Sequence, residues 1–239
     1  MGARLAGKKV LVIGGSKFLG EAIARAAADA GAQVIVGARD LDRAKAVADT
    51  LDGASVVRID IADEASIATA AASLGVVDHI VTLAAAHHNV PVTRIEHGEL
   101  VAAFEAKVFG PLLVAKHFAP ALPASGSIVL FSGVAAWNPA PPYTIMGVAN
   151  GAVAFLAEHL AKELAPIRVN AISPGIIDSG SWDALGEQAK QELLAGAAAS
   201  NLAGRAGVST DIAEAVVWLL GAGFVSGETI HVEGGARIA

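Results

Sequence analysis

The stretch "KKVLVIGGSKFLGEAIARAAADAG", residues 8–31, joins a short β-branched run to a glycine turn and then to an alanine-rich segment with helical spacing. A strand that passes through glycines straight into a helix is the opening of a βαβ unit, and it sets the pattern to look for downstream. The same alternation recurs. "AQVIVGA" (32–38), "SVVRID" (55–60), "VDHIVTL" (77–83), "GSIVLF" (126–131), "PIRVNAIS" (166–173) and "ETIHVEG" (228–234) read as further strands, each set off by a longer helical stretch. Strands alternating with helices predict a parallel sheet. Their near-continuous apolar character fits strands covered by helices on both faces. The reading is an α/β, doubly wound fold with a central seven-stranded parallel sheet. Its ligand belongs beyond the carboxyl ends of the strands, where the strand order reverses.

The chain of 239 residues, 54% of them hydrophobic, fills a single domain with a sizeable core. Its net charge of -6, with no run of five like charges, argues against nucleic acid or an anionic membrane as partner. The absence of cysteine removes disulfides and thiolate chemistry and is reconciled most easily with the cytoplasm. The N-terminal apolar run is too short for a signal peptide or a membrane span. One domain over 1–239 is expected, with residues 176–208, polar and glycine-spotted, as an insertion over the site and a candidate lid carrying one helix near "DALGEQAKQELLAGAA".

In the opening stretch Gly14 permits a tight turn and Gly20 close packing of the helix, whose N-terminus would face a pyrophosphate. An ordinary glycine-rich turn is the plainer alternative. Arg39 follows the second strand in "VIVGARD", where the ribose of an adenosine half should arrive, and no acid ends that strand. An acid there would hold ribose hydroxyls; an arginine suits a 2′-phosphate, and Lys17 could add charge to it. NADP(H) is therefore preferred over NAD(H). The alternatives are that both cations are merely solvated, or that Asp40 contacts a ribose instead.

With these features in place, nearly the whole chain resembles the short-chain dehydrogenase/reductase family, a Rossmann-type fold. The resemblance rests on "GGSKFLG", "RIDIAD", "LAKELAPIRVNAISPGIIDS", "GRAGVSTDIAEAVVWLLG" and "SGETIHVEGG". It implies nucleotide contacts from Gly14, Ser16, Lys17, Phe18 and Leu19 in the glycine loop and from Asp60 and Ile61 at the adenine. It further implies contacts from Ala84 after the fourth strand, from Pro174, Gly175 and Ile177 at the nicotinamide, and from Ser179 at its carboxamide or phosphate. It also implies self-association as a homotetramer or homodimer through the long helices near 96–118 and 146–164 and the last strand. Two blocks depart from the family pattern. Phe18 replaces the second glycine of the loop, so its side chain is expected to turn away from the pyrophosphate, and "TLAA" (82–85) replaces Asn-Asn-Ala-Gly.

The catalytic positions depart further. Family members use a tyrosine, a lysine four residues later, a serine and an asparagine on an earlier helix. Tyr143 is followed four residues on by Gly147, so it is not that tyrosine. Aligned on the helix "NGAVAFLAEHLAKELAPIRVN", the lysine position falls on Asn150, the tyrosine on Met146, the serine on Gly133 beside Ser132, and the asparagine on Lys107. Methionine cannot donate a proton. Lysine and asparagine stand on exchanged helices, so Lys107 either supplies a proton near the substrate oxygen or points to solvent. His87, with its neighbour His88, follows the fourth strand as a candidate acid or base, or as a solvated or capping loop residue. Tyr143 borders the cleft or simply packs, and Ser132 holds a substrate oxygen or satisfies backbone groups. No metal site is expected. Two functions follow: an NADP(H)-dependent oxidoreductase acting on a small carbonyl or alcohol with a non-standard site, or a catalytically silent NADP(H)-binding sensor or scaffold.

Overall fold

The computed structural model describes residues 4–83, 86 and 88–239. The seven apolar runs form one sheet: β1 (Lys9–Ile13), β2 (Gln33–Ala38), β3 (Ser55–Arg58), β4 (His79–Thr82), β5 (Ser127–Phe131), β6 (Arg168–Pro174) and, last in the chain, Thr229–Val232. Two short strands, β7 (Ile177–Asp178) and β8 (Gly207–Val208), pair with each other apart from it, so the last strand is β9. The main sheet runs β3-β2-β1-β4-β5-β6-β9 and every pairing in it is parallel. The chain departs from β1 in both directions, so the crevice that this topology offers a ligand opens between the ends of β1 and β4.

Alternation along each strand divides the core in two. Val10, Val12, Val34 and Val36 face α1 (Phe18–Asp29), α2 (Leu41–Ala48) and α8 (Ser209–Gly221). Leu11, Ile80, Ile128, Leu130 and Val169 face α3 (Glu64–Leu74), α5 (Gly110–Phe118) and α6 (Thr144–Glu163). Alanine on the inner helix faces lets helix and sheet approach closely, which is how so alanine-rich a chain still packs. Arg168 is the one arginine of the buried set; its guanidinium donates to the carbonyls of Leu219 (3.2 Å), Leu220 (2.8 Å) and Val225 (3.3 Å). It thereby ties β6 to the carboxyl end of α8, where carbonyls lack helical partners.

The helix expected near 96–118 is interrupted. α4 (His97–Phe104) passes through a π-helical turn, Glu105–Phe109, before α5 resumes at Gly110–Pro111. Such turns insert one residue and re-aim the side chains around them. α6 is long and apolar enough by composition to cross a membrane, yet Val153, Ala157 and Leu160 on it are packed into the core against the sheet. Residues 176–208 carry β7, α7 (Glu187–Ser200) and β8. No α7 residue is buried; Lys190, Leu193, Leu194, Ala197 and Ala198, spaced to share one face, are half-buried. Lys190 anchors the helix by ion pairs to Asp178 (3.0 Å) and Asp183 (2.8 Å).

Candidate functional site

Gly14 has φ 88°, and a Cβ on Gly20 would overlap the Gly14 carbonyl, so both glycines are required for α1 to start directly on the loop after β1. The N-termini of α2 and α3 are capped by Asp40 and Asp63, which accept from Arg43 N (3.1 Å) and Ala65 N (3.0 Å). α1 has no side-chain cap, and a lysine, Lys17, stands at its N-cap. Its first-turn amides are therefore donors available to an anion, with Ser16 and Leu19 flanking them. Uncapped amides, a cationic residue and a glycine cradle fit the pyrophosphate of a dinucleotide.

Arg39 is exposed and has no ion pair among the described residues, whereas Asp40 is committed to capping α2 and to Arg43 at 3.8 Å. Of the two, Arg39 is the side chain left without a partner among the described residues. Beyond β3, the Asp60 carboxylate accepts from Ala62 N (3.1 Å) and the Asp60 amide donates to Ser66 Oγ (2.9 Å), which fixes the loop. Ile61 lies so close to Gly110 that a Cβ there would overlap it, so the glycine opening α5 makes room for the loop. Across the crevice, Pro174 ends β6, Gly175 lies against Glu233, Ile177 is buried with its carbonyl bonded by Trp182 Nε1 (2.9 Å), and Ser179 Oγ pairs with Ser181 Oγ (3.0 Å). Phe18 was expected to turn its side chain away from the pyrophosphate. Its φ is 53°, and its partly exposed ring lies against Gly180. Ala84 lies outside the described residues.

Five of the residues singled out in the sequence lie where β5 ends beneath α6. Lys107, on the π-turn, is buried and donates from Nζ to the carbonyl of Ser132 at 3.1 Å. Burial alone, with no carboxylate beside it, pulls its pKa down to about 8. The Ser132 hydroxyl donates to the Asn150 carbonyl at 2.7 Å, so it turns inward but spends its proton on α6. A Cβ on Gly133 would stand 2.7 Å from Asn150 Nδ2: the amide occupies space that a side chain at 133 would fill. Asn150 is buried and its Oδ1 has no partner. Met146, one turn earlier on α6, is buried and contributes no polar atom. The cluster is one ammonium, one hydroxyl, one orphaned amide oxygen and the apolar Met146. It can hold and release a proton near neutral pH.

The other candidates are not brought into this cluster by any hydrogen bond of the described residues. Tyr143 stands at the N-cap of α6 with no cap bond from its side chain. His88 accepts from Glu96 N at 3.1 Å and so braces its own loop, while His87 lies outside the described residues. No group of three metal-ligating side chains occurs among the described residues. Sequence reasoning missed a second set of orphaned groups: Ser173 Oγ and His231 Nδ1, on register partners of β6 and β9, with Trp137 edge-on to His231 at 4.5 Å. The signal was the polar pair at matching ends of two strands.

Residues 15–237 match the family model described as enoyl-(acyl carrier protein) reductase. A short-chain dehydrogenase/reductase of Acremonium sp is 32% identical over 257 residues, covering 99% of this chain and 97% of that protein. An L-fucose dehydrogenase of Oryctolagus cuniculus is 32% identical over 252 residues, covering 99% and 87%. Among solved structures, a small-chain dehydrogenase in complex with NADPH superposes with TM-score 0.84 at 27% identity, covering 97% of this chain and 99% of that one. The MalC reductase/Diels-Alderase from Malbranchea aurantiaca does so with TM-score 0.91 at 25% identity, covering 99% and 100%.

Proposed function

The chain belongs to the short-chain dehydrogenase/reductase family, and from that premise we propose that it is an NADP(H)-dependent oxidoreductase of a small, uncharged carbonyl or alcohol in which Lys107 supplies the proton. The observation that carries this reading is the buried Lys107 ammonium, held by one hydrogen bond at the end of β5 with its pKa lowered to about 8. On the spacing that the resemblance implies, Met146, Gly133, Asn150 and Lys107 take the tyrosine, serine, lysine and asparagine positions. A bound nicotinamide would supply or accept the hydride. The chain's own part is positioning and proton supply, which are separable contributions to rate. At pH 7 a group titrating near 8 is mostly protonated and still a far stronger acid than an exposed lysine, so Lys107 Nζ can give its proton to a developing alkoxide and recover it from water. Met146, buried and without a polar atom to offer, favours a neutral substrate.

Arg39, exposed and free of any ion pair among the described residues, and Lys17 at the α1 N-cap support a 2′-phosphate and hence NADP(H) over NAD(H). The half-buried inner face of α7 supports residues 176–208 as a substrate cover. Exposed Phe109 and Leu112 near the start of α5, with Val148 and Phe155 on α6, support self-association through these helices as a homodimer or homotetramer. A silent NADP(H)-binding protein is the second reading, favoured by Met146 and by the commitment of the Ser132 hydroxyl to Asn150. The test is NADPH oxidation against a panel of small ketones, aldehydes and quinones by the wild type and Lys107→Met. Turnover lost by about 10² or more in the variant, with NADPH affinity kept, upholds the enzyme. Tight NADPH binding with no turnover of any member upholds the silent protein.

A further inference from the structure

Among the described residues every positive φ belongs to glycine except that of Phe18. A side chain in the left-handed region is strained, and strain that persists is held in place by its surroundings. The surroundings here are specific. A Cβ on Gly180 would lie only 3.2 Å from Phe18 Cδ1 and 3.4 Å from Cε1, so the ring packs closely on the glycine. Lys17 Nζ lies 4.9 Å from the ring centroid, within cation–π range. Phe18 opens α1 on the β1 side of the crevice, whereas Gly180 follows β7, on the wall built from β6. The ring therefore joins the two walls directly, from the first residue of the uncapped helix α1. The segment it touches is held as a unit with α7, because Lys190 pairs with both Asp178 and Asp183 on either side of Gly180.

We infer that Phe18 is the gate of the nucleotide crevice: its ring closes on Gly180 across the place where the α1 N-terminus receives a pyrophosphate, and nucleotide enters or leaves when that contact opens. The inference rests on the dinucleotide reading of the site. A flexible glycine at position 18 would leave this entrance unbarred. Phenylalanine bars it, and the ring, 41% exposed and resting on a glycine, is held weakly enough for the contact to open. Removal of the ring should affect the rates of exchange more than the affinity, since the ring stands in the path both ways.

The test uses the full chain with Phe18→Gly, which removes ring and strain together, and Phe18→Ala, which removes the ring alone. In the free protein, amide hydrogen exchange over residues 179–186 should rise about tenfold or more in both variants, as expected when a packed segment is released. In stopped flow, NADPH association and dissociation should both quicken about tenfold, with the dissociation constant moving less than about threefold. Unchanged exchange in both variants overturns the gate, as does faster exchange with unchanged NADPH rates. If the wild type binds neither NADPH nor NADH, the nucleotide reading itself fails and the gate with it, and the exchange result then shows separately whether Phe18 holds the segment.

Discussion

Replacing Lys107 by methionine should make the protein more stable. The side chain is buried and its ammonium has one hydrogen bond, to the Ser132 carbonyl at 3.1 Å, with no carboxylate to offset its desolvation. Holding its pKa at about 8 instead of the ordinary 10.5 amounts to about 3 kcal/mol of stability withheld at pH 7. Methionine has similar length and no charge to desolvate, so after the loss of the hydrogen bond the variant should gain about 1 to 3 kcal/mol at pH 7. The pH dependence gives the sign. Below pH 8 the folded and unfolded chains both hold the lysine proton and the penalty is full. From pH 8 to 10.5 the unfolded chain holds it and the folded chain does not, so wild-type stability rises with pH across that window. The variant lacks that rise, and its advantage shrinks toward zero. Urea unfolding from pH 7 to 10, followed by the fluorescence of Trp137, Trp182 and Trp218, measures the difference. A difference that stays constant from pH 7 to 10, or a variant less stable at pH 7, would refute the buried, weakened ammonium and with it the proposed proton source.

Arg39→Ala should weaken NADPH binding by roughly tenfold to a hundredfold, the worth of one or two charge-assisted hydrogen bonds, and leave NADH within about twofold; calorimetric titration with both nucleotides decides it. His79, buried on β4 against Ser127 Oγ at 2.9 Å, has its pKa lowered by burial to about 4. Between pH 6.5 and 4 the unfolded chain takes up a proton that the folded one refuses, so wild-type stability falls by roughly 2 to 3 kcal/mol across that window, and His79→Asn should remove most of that acid dependence in urea titrations. Gly133→Ala should cost about 1 to 3 kcal/mol by overpacking against Asn150. The double variant Gly133→Ala with Asn150→Gly should recover most of it, which a double-mutant cycle would register as strong coupling.

The sheet was legible because each strand is a short β-branched run and the intervening stretches carry helical spacing; all seven expected strands are present in the main sheet. The pairing of β7 with β8 was not, because two residues leave no period to read. The π-turn at Glu105–Phe109 was equally silent, since one inserted residue changes the direction of side chains without changing composition. The burial of Lys107 could have been read. Ala103, Lys107, Gly110 and Val114 recur at helical spacing and all are buried, so the lysine stands in an apolar stripe. Asn150 likewise falls between Met146 and Val153, which with Ala157 make the inner face of α6. Residue type argued for the surface in both cases, and periodicity, which follows packing, argued for the interior. The Phe18 ring could not have been placed from sequence, because the partner that accepts it, Gly180, is distant along the chain and ordinary in itself.

Lys107, Ser132, Gly133 and Asn150 are physically coupled, and the coupling bears on whether the site is silent. Asn150 fits because residue 133 has no side chain, with Nδ2 standing where a Cβ would intrude. The Ser132 hydroxyl then bonds the Asn150 carbonyl while the Ser132 carbonyl receives Lys107. A site decaying without function accumulates changes that relieve destabilisation, because most sequences are held only just above the stability they need. A buried ammonium with a single acceptor is the first element such drift would discard, since many uncharged residues serve the fold better. A buried ammonium with one acceptor, at the end of the sheet where the fold receives ligands, sets a stability cost against a proton held near pH 8. A nucleotide sensor needs the cradle at α1 but has no use for that proton. An oxidoreductase does, and the observation therefore weighs toward turnover.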